Sequence, residues 1–310
     1  MSEEAGAEIR RSKAALRARP APRRRSVSTR PWPWRLGRAL VIFGLLLFTG
    51  GPLVYTVLLS VRDLPAVVSR PLDLLPTLDE LNLRTYWIAF SSPEQGGFGL
   101  GRFMLNSALV ATTTVVVTLL ASIFGAYAVA RLGFTGRRAL AGLFFTVYLF
   151  PVVVVAVPLF VLFARLQLRG SLAALVVIYL AHTVPVAVYM LRHHFQAVPE
   201  SVEEAAMIDG CGRLGVVLRV VFPLTAPAIA ATALYVFVIA WNEYLFALLF
   251  LVDRRDRWTV SLGLAQLTAE VAPVTILMAG SVILSVPVVV LFALAERYLV
   301  SGLTAGAEKG

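Results

Sequence analysis

The sequence predicts an all-α membrane protein of six transmembrane helices, and two observations carry that prediction. Hydrophobic residues make up 58% of the 310 and charged residues only 15%, against about a quarter charged in a soluble domain. The apolar excess also falls in charge-poor runs of about 20 residues. That is the length a helix rising about 1.5 Å per residue needs to cross about 30 Å of hydrocarbon.

The first run is Ala39 to Val61, interrupted by Gly50, Gly51 and Pro52. Such breakers are tolerated in membranes where neighbouring helices satisfy the freed backbone groups. The polar stretch from Arg62 to Arg102, with Tyr86, Trp87 and Phe90, has room for one or two interfacial helices. Span two is Phe103 to Ala130, rich in Thr and Val, and Arg131, Arg137 and Arg138 form a short basic loop after it. Span three, Leu140 to Ala164, contains Pro151 and Pro158; span four, Ser171 to Leu191, contains His182 and Pro185. Residues 192–223 are too mixed to span. Span five is Ala226 to Val252, the charged loop Asp253 to Arg257 follows, and span six is Val274 to Ala295 with Pro287 inside. Pro151, Pro158, Pro185 and Pro287 are expected to shape or kink their helices.

The net charge of +10 is concentrated at one end. Residues 1–38 hold 11 of the 28 Lys+Arg and 3 of the 18 acids, so the remainder is close to neutral. The basicity therefore belongs to a tail and not to a nucleic-acid-binding face. The tail, residues 1–34, is rich in Arg, Pro, Ala and Ser and is expected to be disordered, reading either as a contact for anionic lipid or as a solvated segment that helps set topology. With the N-terminus inside, inner segments carry 19 Lys+Arg and outer ones 9, which places both termini in the cytoplasm. Cys211 is the single cysteine, so no intrachain disulfide forms. His182, His193 and His194 have no metal-ligand spacing, and no metal site is expected. His193 and His194 read as helix-end or surface residues, and His182 as an interhelical hydrogen-bonding residue or a ligand.

The loop before span five reads PESVEEAAMIDGCGRLGVVLRVVFP over residues 199–223. Ser201 as N-cap with Glu204 three residues on predicts a capping box, and Gly210 or Gly212 can end the helix in a left-handed conformation. Small Ala205 and Ala206 permit close approach by another protein. Glu203 and Glu204 favour the helix N-terminus and offer charge to a partner's Arg or Lys. On these grounds alone the segment reads equally as an ordinary surface helix.

The spacing Glu204-Ala205-Ala206, two residues, Asp209-Gly210 and a distal Pro223 resembles the EAA motif of binding-protein-dependent ABC importer permeases. Cys211 stands where that pattern often has Ala. Ala240 to Leu251 (AWNEYLFALLFL), Asn106-Ser107 and the terminal GLTAGAEKG are similar to the carbohydrate-uptake, MalG-like branch, so the resemblance covers about Leu36 to Gly310. It implies the type I importer permease fold, residues 35–310 forming the six-helix domain, with the EAA segment as a cytoplasmic coupling helix docked on an ABC ATPase dimer. It further implies a second homologous permease, an extracytoplasmic solute-binding protein and sugar import. Glu204, Ala205, Ala206, Asp209 and Gly210 match the motif and are implied to dock the ATPase. The only lysines, Lys13 and Lys309, lie in no Walker A context. The chain is therefore expected to be a transport subunit and not an enzyme, with ATP and Mg held by partner subunits.

Polar groups inside a span are functional candidates by default. Trp241, Asn242, Glu243 and Tyr244 form the clearest cluster, and amide, carboxylate and aromatic faces suit a sugar. The same four residues read equally as helix tethers. The rival class, an ion-coupled secondary transporter, would show internal repeats and several intramembrane acids. Here Glu243 is the one good candidate acid.

Overall fold

The computed structural model describes residues 32–70, 73, 75–149, 151–270 and 272–307. Most of the predicted basic tail, with Lys13, and Lys309 at the other end lie outside the described residues. Among the described residues no β-strand forms; a single antiparallel bridge joins Arg62 and Leu81. The chain divides at Pro52–Leu53. In the first unit, helix α1 (Trp32–Ser60) begins with bare apolar side chains, among them Leu40, Phe43, Leu46 and Phe48.

The second unit starts with the last turns of α1 and holds everything after it. Two short helices, α2 (Leu64–Ser69) and α3 (Arg84–Phe90), form in the predicted polar stretch. The segment is knit by Arg62, whose side chain is buried. Its Nε donates to Glu80 Oε2 at 2.8 Å, Arg70 pairs with the other carboxylate oxygen, and the Asp63 N–H donates to the Glu80 carbonyl at 2.9 Å. The Arg62 hydrogen bond holds the Glu80 carboxyl below its ordinary value of 4.5, against the opposing pull of burial.

Helix α4 (Leu100–Arg131) is the central column. Asn106, Val110, Thr114, Thr118, Ser122, Ala126 and Ala130 are all buried at a spacing of four, while Leu105, Leu109, Val116, Leu120 and Phe124 are exposed. This inverts the soluble rule. In hydrocarbon, small and hydroxyl residues let helices approach and the large aliphatics face outward. The stripe packs against α7 (Leu172–Ala197), and the Thr118 and Thr183 hydroxyls meet at 2.7 Å.

Between them in sequence, the predicted third span is two helices, α5 (Arg137–Leu149) and α6 (Val152–Arg165). Pro151 caps α6 in an extended conformation, which ends one helix and starts the next, whereas Pro158 stays inside α6. After α7 come α8 (Glu200–Ile208) and α9 (Arg213–Leu224), then α10 (Ala226–Asn242), α11 (Leu245–Leu251), α12 (Val260–Ala269) and α13 (Val274–Ala307). The predicted fifth span is also broken. The 17 residues of α10 cover only about 25 Å at about 1.5 Å each, and the seven-residue α11 follows after the break at Glu243-Tyr244. Stretches of α1, α4, α7 and α13 are each long and apolar enough to cross alone.

Pro223 does not break its helix, and α9 runs through it to Leu224. A turn of π-helix over Val217–Val221 precedes it, and the chain bends by 81° between α9 and α10 at Thr225. Two packed cores result. One, at the end bearing α8, gathers Ile123, Tyr127, Leu191, Phe195, Val217 and Ile229. The other, larger, gathers Phe103, Tyr179, Trp241, Phe250, Trp258 and Leu267. There Gly263 lies so close to α4 that a Cβ would sit 2.1 Å from the Phe103 ring. Asn106 donates to the carbonyls of Asp256 (3.1 Å) and Trp258 (2.9 Å), and the Val260 N–H donates to Ser107 Oγ at 2.8 Å. The Asn-Ser pair thus ties the 253–260 loop to the start of α4.

Candidate functional site

The EAA segment forms the predicted short helix, but it starts differently. The residue before a proline is pushed out of the helical region. Val198, at ψ 126°, ends α7, Pro199 is the N-cap of α8, and Ser201 falls inside the helix with no cap bond. The capping box is therefore absent. The C-terminus forms as predicted at Gly210, which has φ +90°. The Cys211 N–H reaches Ala206 O at 3.0 Å and the Gly210 N–H reaches Met207 O at 3.1 Å. Together they make the paired closing bonds of a Schellman motif.

The two adjacent glutamates part company. Glu204 is exposed, with Ala205, Asp209 and Gly210, while Ala206 is partly covered. Met207 (45%) and Ile208 (86%) stand out among them. Glu203, expected to be available to a partner, is instead turned inward. Arg131 Nε donates to its Oε1 at 2.7 Å and the Tyr127 hydroxyl to its Oε2 at 3.0 Å. The side chains of Arg131 and Glu203 are only 10% and 6% exposed. The same guanidinium donates through Nη2 to the carbonyls of Phe195 (2.8 Å) and Val198 (2.5 Å), satisfying carbonyls at the end of α7. Tyr127 and Arg131 were not singled out from sequence. The signal was present in an arginine closing a span and a doubled acid in the loop.

The four residues of the intramembrane cluster do not converge on one point. The Trp241 ring is buried, stacked on Phe237 at 5.3 Å, and its Nε1 donates to Leu284 O on α13 at 2.9 Å. Asn242 is exposed and donates to Val238 O at 2.9 Å; Tyr244 is exposed as well. Glu243 sits in the helix break. Its carboxylate accepts the Phe246 N–H (2.8 Å), the Ala247 N–H (3.2 Å) and the Tyr179 hydroxyl (2.7 Å), while Ser261 Oγ donates to its carbonyl at 2.6 Å. A carboxylate at the start of a helix satisfies orphan N–H groups and meets the positive end of the dipole. Glu243, Tyr179 and His182 line a cavity of about 320 Å³ whose other walls are apolar, including Ile178, Ile239 and Phe246.

Comparison with known proteins follows the same lines. Residues 101–304 match the family described as binding-protein-dependent transport system inner membrane component. The trehalose/maltose transport system permease protein MalG of Thermococcus litoralis is 34% identical over 280 residues, covering 89% of this chain and 98% of its own. The sulfoquinovosyl glycerol transport system permease protein SmoH of Agrobacterium fabrum is 35% identical over 260 residues, covering 84% and 88%. The fold also matches a bacterial ABC transporter involved in the import of the acidic polysaccharide alginate. That match has a TM-score of 0.72 at 20% identity and covers 86% of this chain and 96% of the other. A helix-rich membrane fold, an exposed EAA helix and these relatives agree: the chain belongs to the family of binding-protein-dependent transport system inner membrane components.

Proposed function

We propose that this chain is the sugar-translocating permease subunit of an ATP-driven importer, working beside a second, homologous permease. An extracytoplasmic binding protein delivers a saccharide or related polyol. A separate ABC ATPase dimer, holding ATP and Mg, supplies the energy through α8, and both termini face the cytoplasm and the ATPase. One observation carries the reading. α8 is fastened to the body through Glu203 and bare on the side bearing Glu204, Ala205, Met207 and Ile208. An exposed apolar tip rimmed by acids suits a protein groove with basic edges. The relatives' cargoes, trehalose or maltose and sulfoquinovosyl glycerol, support a glycoside. For the path, Asn242 and Tyr244 are the exposed polar candidates, with Glu243 holding the break beside them and Trp241 anchoring the helix. Glu204→Lys reverses the charge at the bare face and is expected to abolish uptake while membrane insertion persists. Normal uptake by that variant would sink the docking assignment.

A further inference from the structure

We infer that Arg131 is a positioning residue that locks α8 to two membrane helices, so that a push on α8 is delivered to α4 and α7 together. This rests on the reading of α8 as the ATPase-docking helix. Three elements meet at one guanidinium. Arg131 belongs to the last turn of α4. It bonds the Glu203 carboxylate on α8 and, through a different nitrogen, the Phe195 and Val198 carbonyls at the end of α7. The Tyr127 hydroxyl, one turn earlier on α4, holds the second carboxylate oxygen. The Glu200 carboxylate lies 3.7 Å from Nη1 and is exposed, adding a weak second tie.

The geometry uses what only this side chain has. A guanidinium is planar, permanently charged and presents several donors in a fixed fork, whereas an ammonium is a point charge on a flexible stem. The contact is almost dry, so the pair resists sliding: any displacement of α8 alone would strip partners from a buried charge. The rest of α8 is held by apolar packing, chiefly of Ala206 against the core at that end, which restrains direction weakly. The clamp converts a helix on a loop into part of a rigid body.

The test uses the full complex, permease pair with ATPase and binding protein, reconstituted in vesicles. Arg131→Lys keeps the charge and loses the fork; Glu203→Gln keeps the shape and loses the charge. The readout is sugar taken up per ATP hydrolysed, scored per assembled complex, so poor assembly does not blur it. Both variants are expected to bind the ATPase and hydrolyse ATP while this ratio falls at least about fivefold, the lower range of a coupling free energy. An unchanged ratio in both variants, whether or not assembly falls, overturns the proposal and leaves the contact purely structural. The exchanged pair, Arg131→Glu with Glu203→Arg, is expected not to recover, because a carboxylate would then face the Phe195 and Val198 carbonyls. Full recovery would remove α7 from the lock. Glu204→Lys, run alongside, separates the two claims: it reads whether the ATPase docks on α8, and the Arg131 variants read what happens once it has.

Discussion

Glu203 and Glu243 are both withdrawn from bulk water, and the molecule neutralises them in opposite ways. At the α8 end, Glu203 meets a full positive charge and a hydroxyl. In the break between α10 and α11, Glu243 meets no cation among its bonded partners, only two backbone N–H groups and the Tyr179 hydroxyl. The difference follows from place. Arg131 closes its helix next to a charged loop, whereas Glu243 lies inside an apolar run, where a guanidinium would itself need a partner. At the break the positive end of the α11 dipole does that work. The charged contact is the firmer and the more brittle of the two.

That contrast can be broken first by Arg131→Ala, which leaves a buried carboxylate unpaired and costs about 3–5 kcal/mol. The complex is expected to lose thermal stability and yield. Glu243→Gln keeps one acceptor oxygen for the two helix-end N–H groups and is expected to cost less, about 1–3 kcal/mol. Thermal unfolding of the two purified variants ranks them, and a larger loss for Glu243→Gln would reverse the comparison. Asn242→Ala, beside the break but exposed, is expected to leave stability within about 0.5 kcal/mol while changing uptake rate or sugar range. A change confined to complex yield would make the cluster a tether and nothing more. The remaining effect concerns Glu80, which like Glu203 is held by arginine. Its carboxyl is depressed in the folded chain, so the stabilisation is present above pH 4.5 and is lost as the pH falls through the lower folded value. Acid titration of unfolding should show this loss, and Glu80→Gln should flatten it.

Much of this was readable before any coordinates. Long charge-poor runs locate the crossing segments because hydrocarbon imposes a length and forbids charge. The EAA spacing and Gly210 locate α8 and its end because only a few residues tolerate a left-handed turn. The helix breaks were less legible. Pro151 was visible, but whether a proline kinks or ends a helix depends on neighbours, as Pro158 shows by staying inside α6. At Glu243 no breaker is present at all; the carboxylate ends one helix by capping the next. The capping box failed because Pro199 acts one step earlier on Val198. The inward turn of Glu203 was invisible because its partners lie 72 and 76 residues away in sequence, and nothing local distinguishes it from Glu204.

The 72 residues separating Arg131 from Glu203 also impose an order on synthesis. At about 5–20 residues per second, Arg131 emerges roughly 4–14 s before the carboxylate that will neutralise it. In that interval α5, α6 and α7 are made, and the guanidinium has no carboxylate from α8 to meet. The lock can shut only after α7 has arrived to offer its carbonyls. A ribosome stalled before residue 203 would therefore leave a half-made permease in which α4 and α7 are complete but the corner that Arg131 closes is still open.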